Sequence, residues 1–182
     1  MDVSKIPVGV DAPNDINVII EIGAGQDPIK YEIDKDSGAL FVDRIMHTSM
    51  RYPCNYGFIP HTLAYDGDPT DVLVISGPSF LPGCIVRARP IGVLVMEDQG
   101  GMDEKVLAVP VDDLHPYYSN VTSYTKLPKI ITNQIQHFFE HYKDLEDGKW
   151  TKITGWEDAD RAKAFIMETI ENHKKAEAEK AA

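Results

Sequence analysis

The sequence predicts an α+β protein that is mainly β: a small closed β-barrel with two flanking helices near the C-terminal end. Three observations favour this class. Short β-prone segments broken by glycine and proline fill the first two thirds of the chain. Helical periodicity appears only after residue 128. The chain has 182 residues, 43% of them hydrophobic and 26% charged, which indicates one globular domain over 1–182.

The first strand is predicted at 16–22, where β-branched residues alternate and would place Val18, Ile20 and Ile22 on one face. Further strands are predicted at 30–33, 40–44, 72–76, 84–96 and 105–111. The turn-forming stretch 34–38 between the first two of these indicates a hairpin. The regular spacing of short strands favours a barrel over a parallel sheet.

Two helices are predicted after the strands. In the first, Pro128 would be the first helical residue, an apolar stripe at helical spacing follows, and Gly148 would end it. The second begins near Asp158 and carries its own apolar stripe. Its Lys/Glu/Ala-rich end, 173–182, is predicted to fray.

Charge and composition exclude several classes of protein. The net charge of −11 disfavours nucleic acid and anionic membranes as partners, and would also repel a phosphate substrate unless metal ions reverse the local field. No apolar run reaches the ~20 residues of a membrane span, and the first residues lack a signal-peptide pattern. Only Cys54 and Cys84 are present, which fits a reducing, cytoplasmic compartment.

The most informative segment is 66–71, which places Asp66, Asp68 and Asp71 on one tight bend ahead of a strand. Three anionic groups about 5 Å apart repel by about 3 kcal/mol per pair at an effective dielectric near 20. A bound cation would remove that repulsion, and oxygen ligands suit hard divalent ions such as Mg²⁺, Mn²⁺ or Ca²⁺. The alternative is a polar turn whose carboxylates point apart into water.

A second acidic loop, 97–105, adds Asp98 and Asp103. If the two loops meet in space, their five carboxylates would hold more than one metal ion. Two such ions can clamp a phosphate oxygen and generate hydroxide from bound water. A solvated hairpin turn is the alternative for this loop taken alone.

Basic and hydroxyl side chains that suit phosphate are scattered among the strands. Lys30 and Glu32 share one face of a strand, and Arg44 lies on its hairpin partner. Tyr52 and Tyr56 lie in an aromatic stretch without periodicity. Each residue alone is usually a surface charge or a core aromatic, but together they supply the donors that a phosphate site requires.

The sequence resembles family I soluble inorganic pyrophosphatases of the bacterial type. The matching stretches are 30–35, 52–57, 66–74 and 141–144, within a resemblance that extends from about residue 4 to 172. It implies an OB-like barrel with flanking helices and Mg²⁺-dependent hydrolysis of pyrophosphate to two phosphates. It also implies several ions per active site, with Mn²⁺ or other divalent ions as possible substitutes, and a homohexamer.

The resemblance also implies roles for individual residues. Asp68 would be the general base. The metal ligands would be Asp66, Asp71, Asp98 and Asp103. The phosphate contacts would be Lys30, Arg44, Tyr56, Lys105, Tyr142 and Lys143. Glu21, Glu32 and Tyr52 would line the site. Two positions depart from the family pattern: Gln99 stands where Glu is common, which would weaken a peripheral metal site, and Thr70 replaces an aliphatic residue, with little effect expected.

Two rival functions remain open at this stage. His137, Glu140 and His141 match the His-x-x-Glu-His pattern of one class of zinc peptidases, but no third ligand is evident downstream. The resemblance instead places both histidines at a subunit contact. A non-enzymatic Ca²⁺-binding barrel would explain the aspartates but not Lys30 or Lys143.

Overall fold

A strongly curled sheet forms the body of the molecule in the computed structural model, which describes residues 1–181. Its strands are β1 (Gly9–Asp11), β2 (Asp15–Ile22), β3 (Ile29–Ile33), β4 (Leu40–Ile45), β5 (Asn55–Phe58), β6 (Asp71–Val74), β7 (Ile85–Asp98), β8 (Gly101–Met102), β9 (Lys105–Pro110) and β10 (Thr151–Asp158). The helices are α1 (Lys129–His141) and α2 (Ala159–Lys180). Short 3-10 turns lie at Val3–Lys5, Pro116–Tyr118 and Tyr124–Lys126.

The barrel closes because β2 pairs with strands on both of its sides. The path runs β2–β5–β6–β9–β7, and β7 then pairs back with β2. Only the β6–β9 contact within this ring is parallel. Strands β1, β8 and β10 extend the sheet, while β3 and β4 form a separate hairpin beside it. This arrangement confirms the predicted OB-like, mainly β fold with two helices.

Both faces of the barrel strands are buried. In β6, Val72 and Val74 pack in one cluster with Phe165 of α2, whereas Leu73 packs in a second cluster with Phe138 of α1. Strands covered on both faces are continuously apolar instead of alternating. Helix α1 therefore covers one side of the sheet and α2 the other.

Four strands are missing from the sequence prediction: β1, β5, β8 and β10. Strand β1 has only three residues and β8 only two, which is too short to show alternation. All four residues of β5 are buried, so the segment carries no alternation. Strand β10 is half exposed, and its register shifts between Ile153 and Gly155.

Three details of the prediction are wrong. Ile22 does not share a cluster with Val18 and Ile20, because the register with β5 shifts between Ile20 and Ile22. Pro128 precedes the first helical residue, which is Lys129. Helix α1 ends at His141, well before Gly148, because the chain turns at Tyr142.

The second helix begins where predicted. The Asp158 carboxylate accepts hydrogen bonds from the N–H groups of Asp160 and Arg161, each at 3.1 Å, and so caps α2. The helix continues through Lys180. The frayed tail and the single domain stay predictions, and Ala182 lies outside the described residues.

Candidate functional site

One cavity of about 200 Å³ brings together side chains from most of the chain. It opens where the acidic loops meet the β3–β4 hairpin and the end of α1. All fourteen residues singled out in the sequence line it: Glu21, Lys30, Glu32, Arg44, Tyr52, Tyr56, Asp66, Asp68, Asp71, Asp98, Asp103, Lys105, Tyr142 and Lys143. Their individual roles stay predictions.

The loop that carries Asp66 and Asp68 is closed by its own hydrogen bonds. The Ala64 N–H donates to the Asp68 carbonyl at 2.7 Å, and the Asp68 N–H donates to the Asp66 carboxylate at 3.1 Å. Gly67 adopts φ +91°, which strongly favours glycine. The turn therefore holds both carboxylates at the cavity mouth while Asp71 begins β6.

The second group of carboxylates arrives through strand pairing. Parallel pairing of β6 with β9 aligns Val72 with Val106, so Asp71 and Lys105 lie side by side at the strand starts. Asp98 ends β7, and Asp103 precedes β9. The two acidic loops therefore meet, as the sequence required for a shared site.

Lysines partner three of the five aspartates. The Lys105 ammonium donates to the carboxylates of both Asp71 and Asp103. Lys143 donates to Asp98 at 2.7 Å. Burial by itself would lower the pKa of Lys105, but the charges of Asp103 and Asp71 raise it well above its ordinary value. Against the effect of burial, the bond from Lys143 holds the pKa of Asp98 below its ordinary value.

Two other carboxyl groups hold protons more tightly than usual. Partial desolvation, with added repulsion from Asp103 and Asp71, raises the pKa of Asp66 to about 6, although the residue lies at the exposed mouth. Burial raises the pKa of Glu21 to about 7, while its bond from the Ile33 N–H opposes the shift. The site therefore concentrates negative charge beyond what its lysines neutralise.

The remaining predicted residues form the wall of cations and the aromatic floor. Lys30 and Arg44 pair in register across β3 and β4. Lys30 lies 3.1 Å from Asp43, and Arg44 lies 3.5 Å from Glu146. The aromatic floor consists of Tyr52, Tyr56, Phe139 and Tyr142, and Phe138 makes ring contacts with Tyr52, Phe139 and Tyr142. Burial raises the pKa of each of its tyrosines, which keeps their hydroxyls protonated as hydrogen-bond donors.

Five further residues line the cavity without a predicted role: Lys35, Phe58, Pro69, Gln99 and Phe139. Lys35 lies 3.4 Å from Glu32 and above the Phe58 ring. Its position just after the β3 strand was a usable signal, since Lys30 and Glu32 precede it on the same hairpin. Gln99 donates to Asp98 at 3.3 Å, so it does adjoin the position where the resemblance expects a peripheral ion.

The donor chemistry of the cavity fits divalent metal ions. The carboxylates of Asp71 and Asp103 converge on a single cation, the Lys105 ammonium. Within residues 1–181, however, no three His, Cys, Asp or Glu side chains are already arranged to hold a metal ion. A metal ion bound by Asp71 or Asp103 would have to share or displace that carboxylate's contact with Lys105.

The histidines of the zinc-peptidase pattern lie outside this cavity. His137 and His141 are exposed on α1, with ring centres 4.6 Å apart. Glu140 accepts a hydrogen bond from Gln136, and His141 pairs with Asp144.

No helix among residues 1–181 combines the length and apolarity needed to cross a membrane.

Comparison with known proteins identifies the family. The family model for inorganic pyrophosphatase matches residues 18–174. A curated inorganic pyrophosphatase of Caulobacter vibrioides is 61% identical over 173 residues, covering 95% of this chain and 98% of the relative.

Solved structures agree. The inorganic pyrophosphatase of Coxiella burnetii superposes with a TM-score of 0.90 at 49% identity, covering 92% of this chain and 99% of the other. The inorganic pyrophosphatase of Thermus thermophilus superposes with a TM-score of 0.89 at 41% identity, covering 96% of this chain and 99% of the other. These matches over nearly the whole length show that the chain is an inorganic diphosphatase and belongs to the inorganic pyrophosphatase family.

Proposed function

We propose that the protein hydrolyses inorganic pyrophosphate to two phosphates in a Mg²⁺-dependent reaction, with Asp68 as the general base. The observation that carries this proposal is the cavity itself, because the five aspartates of the two loops line it together with five cations. Divalent ions bound there would neutralise the polyanion and lower the pKa of a coordinated water. Mn²⁺ or another divalent ion is a possible substitute for Mg²⁺.

The aspartates divide into two groups by their partners. Asp71, Asp98 and Asp103 each pair with a lysine, which marks them as groups that already hold a positive charge. We assign these three and Asp66 to metal binding. Several ions per site are expected, because the carboxylates come from two loops and face one cavity.

Asp68 differs from the other aspartates of the cavity. Among the described residues its carboxylate has neither an ion-pair nor a hydrogen-bond partner, whereas the Asp66 carboxylate, which also lacks an ion pair, accepts the Asp68 N–H. The main-chain N–H and carbonyl of Asp68 are both fixed within the loop. It lies at the exposed mouth, where water enters. An unpaired carboxylate held by a rigid turn suits proton removal from an attacking water.

The cations and tyrosines would hold the two phosphate groups. Lys30 and Arg44 stand on the hairpin side, while Lys105 and Lys143 stand beside the acidic loops. Tyr56 and Tyr142 supply hydroxyl donors from the floor. Fixed positive charge near the leaving phosphate stabilises the charge that develops as the phosphoanhydride bond breaks.

Assembly and location follow the family expectation. We propose a homohexamer in which the exposed face of α1, with His137 and His141, contacts another subunit. We also propose a cytoplasmic location, since both cysteines are free thiols in the structure. Glu21, Glu32 and Tyr52 would orient ligands and bound water from the cavity wall.

The direct test is phosphate release by Asp68→Asn. We expect turnover with saturating Mg²⁺ to fall by roughly 10²–10⁴-fold, the usual contribution of a general base, while the circular dichroism spectrum stays unchanged. Asp113→Asn is the matched control, because Asp113 is exposed and lies outside the cavity. Near-normal turnover by Asp68→Asn would reject the base assignment.

The same assay separates the rival functions. Chelation of Mg²⁺ should abolish phosphate release by the parent protein. Zinc-dependent cleavage of casein that His137→Ala removes would instead favour the peptidase. Ca²⁺ binding without any pyrophosphate turnover would favour the binding module.

A further inference from the structure

The neck of the acidic loop is held by buried threonine hydroxyls. The Thr70 N–H donates to the Thr62 hydroxyl at 2.9 Å, and that hydroxyl donates to the Ile59 carbonyl at 2.7 Å. The Ile59 N–H donates back to the Thr70 carbonyl at 3.0 Å. Thr62 and Thr70 are almost completely buried, so these bonds are shielded from water. The two ends of the loop 62–70 are therefore joined by one set of hydrogen bonds among Ile59, Thr62 and Thr70, which we call the junction.

Thr169 of helix α2 is bonded to this junction, while Glu168 and Asn172 of the same helix bond Tyr65 and Leu63 farther along the loop. The Thr70 hydroxyl donates to the Thr169 hydroxyl at 2.8 Å, and Thr169 donates onward to the Ile166 carbonyl at 3.0 Å. The Thr169 carbonyl also accepts the Leu63 N–H at 2.9 Å. Thr169 is fully buried. One residue of α2 therefore contacts both ends of the loop.

A buried hydroxyl group lowers the stability of the folded protein unless it makes a hydrogen bond. Each of these hydroxyls has a partner, and removing one partner would leave the other unsatisfied in the protein interior. From sequence alone Thr70 was expected to have little effect in place of an aliphatic residue. Its contact with Thr169, 99 positions away, supplies the role that the sequence did not show.

We propose that Thr169 is a positioning residue: through its hydrogen bond with Thr70 it fixes the loop so that Asp66, Asp68 and Asp71 face the cavity. Thr70 adjoins Asp71 directly and lies two residues from Asp68, so a shift at the junction moves both carboxylates. The inference rests on the proposed metal and base roles of these aspartates. It assigns helix α2, which itself does not line the cavity, a part in metal binding.

The test compares Mg²⁺ binding, measured by isothermal titration calorimetry without substrate, in Thr169→Val and Thr70→Val. Residues that hydrogen-bond directly to a metal ligand usually contribute about 10–100-fold to metal affinity. Thr70 and Thr169 act on the aspartates only through the loop backbone, so we expect each variant to bind Mg²⁺ roughly 3- to 10-fold more weakly. Because the two hydroxyls form one bond, the double variant should be no weaker than the worse single variant. Thr169→Ser should bind as the parent does.

Thr132→Val is the matched control. Thr132 is also buried on a helix, and its hydroxyl also donates to the carbonyl three residues earlier at 3.0 Å, but it contacts no part of the loop. Mg²⁺ binding by Thr169→Val that equals Thr132→Val would overturn the inference. If Thr169→Val does not fold, Thr70→Val decides the question, because it leaves the Thr169–Ile166 bond in place.

Asp71→Asn separates this inference from the proposed function. Loss of Mg²⁺ binding in Asp71→Asn together with parent-like binding in Thr169→Val would refute the positioning role alone. Parent-like binding in Asp71→Asn would refute the metal assignment on which the inference rests.

Discussion

At the scale of single residues, the site is set by which carboxylates have a positive partner. Lys105 is itself buried, and its two ion-pair partners among the described residues are Asp71 and Asp103. A buried charge that lost both partners would be strongly destabilising. If Asp71 and Asp103 bind metal ions as proposed, Lys105 and those ions would compete for the same two carboxylates, and metal loading would depend on the position of the Lys105 side chain.

Glu21 predicts a pH dependence of stability. Its pKa is about 7 in the folded protein, raised by burial from an ordinary 4.5. Between these values the folded state binds more protons than the unfolded state, so the free energy of unfolding falls as pH rises, by up to about 3 kcal/mol. Stability from this group is greatest below pH 4.5 and is lost as the pH passes 7.

Glu21→Gln should remove that loss, because the amide oxygen can still accept the Ile33 N–H. In metal-free buffer we expect the variant to be more stable than the parent at pH 8, with a smaller difference at pH 5. Urea unfolding at each pH measures the effect. Glu179→Gln, an exposed site on α2, should follow the parent; parallel pH profiles for Glu21→Gln and the parent would contradict the prediction.

At the scale of secondary structure, the two helices support the site in different ways. Helix α1 contributes Phe139 to the aromatic floor of the cavity, and Tyr142 and Lys143 follow just beyond the end of the helix. Helix α2 packs behind the barrel and contacts both acidic segments. Besides Thr169, its Arg161 donates to the buried carboxylate of Glu104 at 2.9 Å, beside Asp103 and Lys105. The helices therefore hold the site from opposite faces of the sheet.

The N-terminal cap of α2 gives a prediction at this scale. Asp158→Ala removes the acceptor of two backbone N–H groups and should lower the free energy of unfolding by about 1 kcal/mol. Asp158→Asn is the control, since asparagine caps helices about as well. Urea denaturation at one protein concentration measures both. Equal losses in the two variants would show that charge, not the cap bond, stabilises this helix start.

At the scale of the whole molecule, a net charge of −11 opposes the binding of any polyanion. The fold offsets this overall negative charge locally, because five cations line one cavity: Lys30, Lys35, Arg44, Lys105 and Lys143. Even so, the cavity holds more carboxyl groups than cations. Pyrophosphate binding should therefore depend on divalent ions, in line with the proposed function.

The proposed hexamer is tested at the same scale. A groove of about 650 Å³ beside α1 exposes Ile130 and His137, and we expect another copy of the chain to cover this face. His137→Glu should shift sedimentation from six times the 20.3 kDa chain to smaller species, because it places a desolvated charge at the contact. Met167→Glu, on exposed α2, should sediment as the parent does. A monomeric parent protein would refute the hexamer itself.

The sequence by itself determined the features that depend on neighbours along the chain. Alternation predicted β2, turn residues predicted the β3–β4 hairpin, and Asp158 marked the start of α2. Three aspartates within six residues indicated a cation site for the same reason, since their repulsion is local. The resemblance then indicated the fold and the residues of the site.

Only the tertiary structure decided how distant segments meet. Parallel pairing of β6 with β9 set Asp71 beside Lys105, and closure of the barrel brought Glu21 to the same cavity as Lys143. Strand β5 escaped prediction because both of its faces are buried, and Thr169 could not be connected with Thr70 because 99 positions separate them. Such contacts arise from packing across the barrel, which no pattern of adjacent residues records.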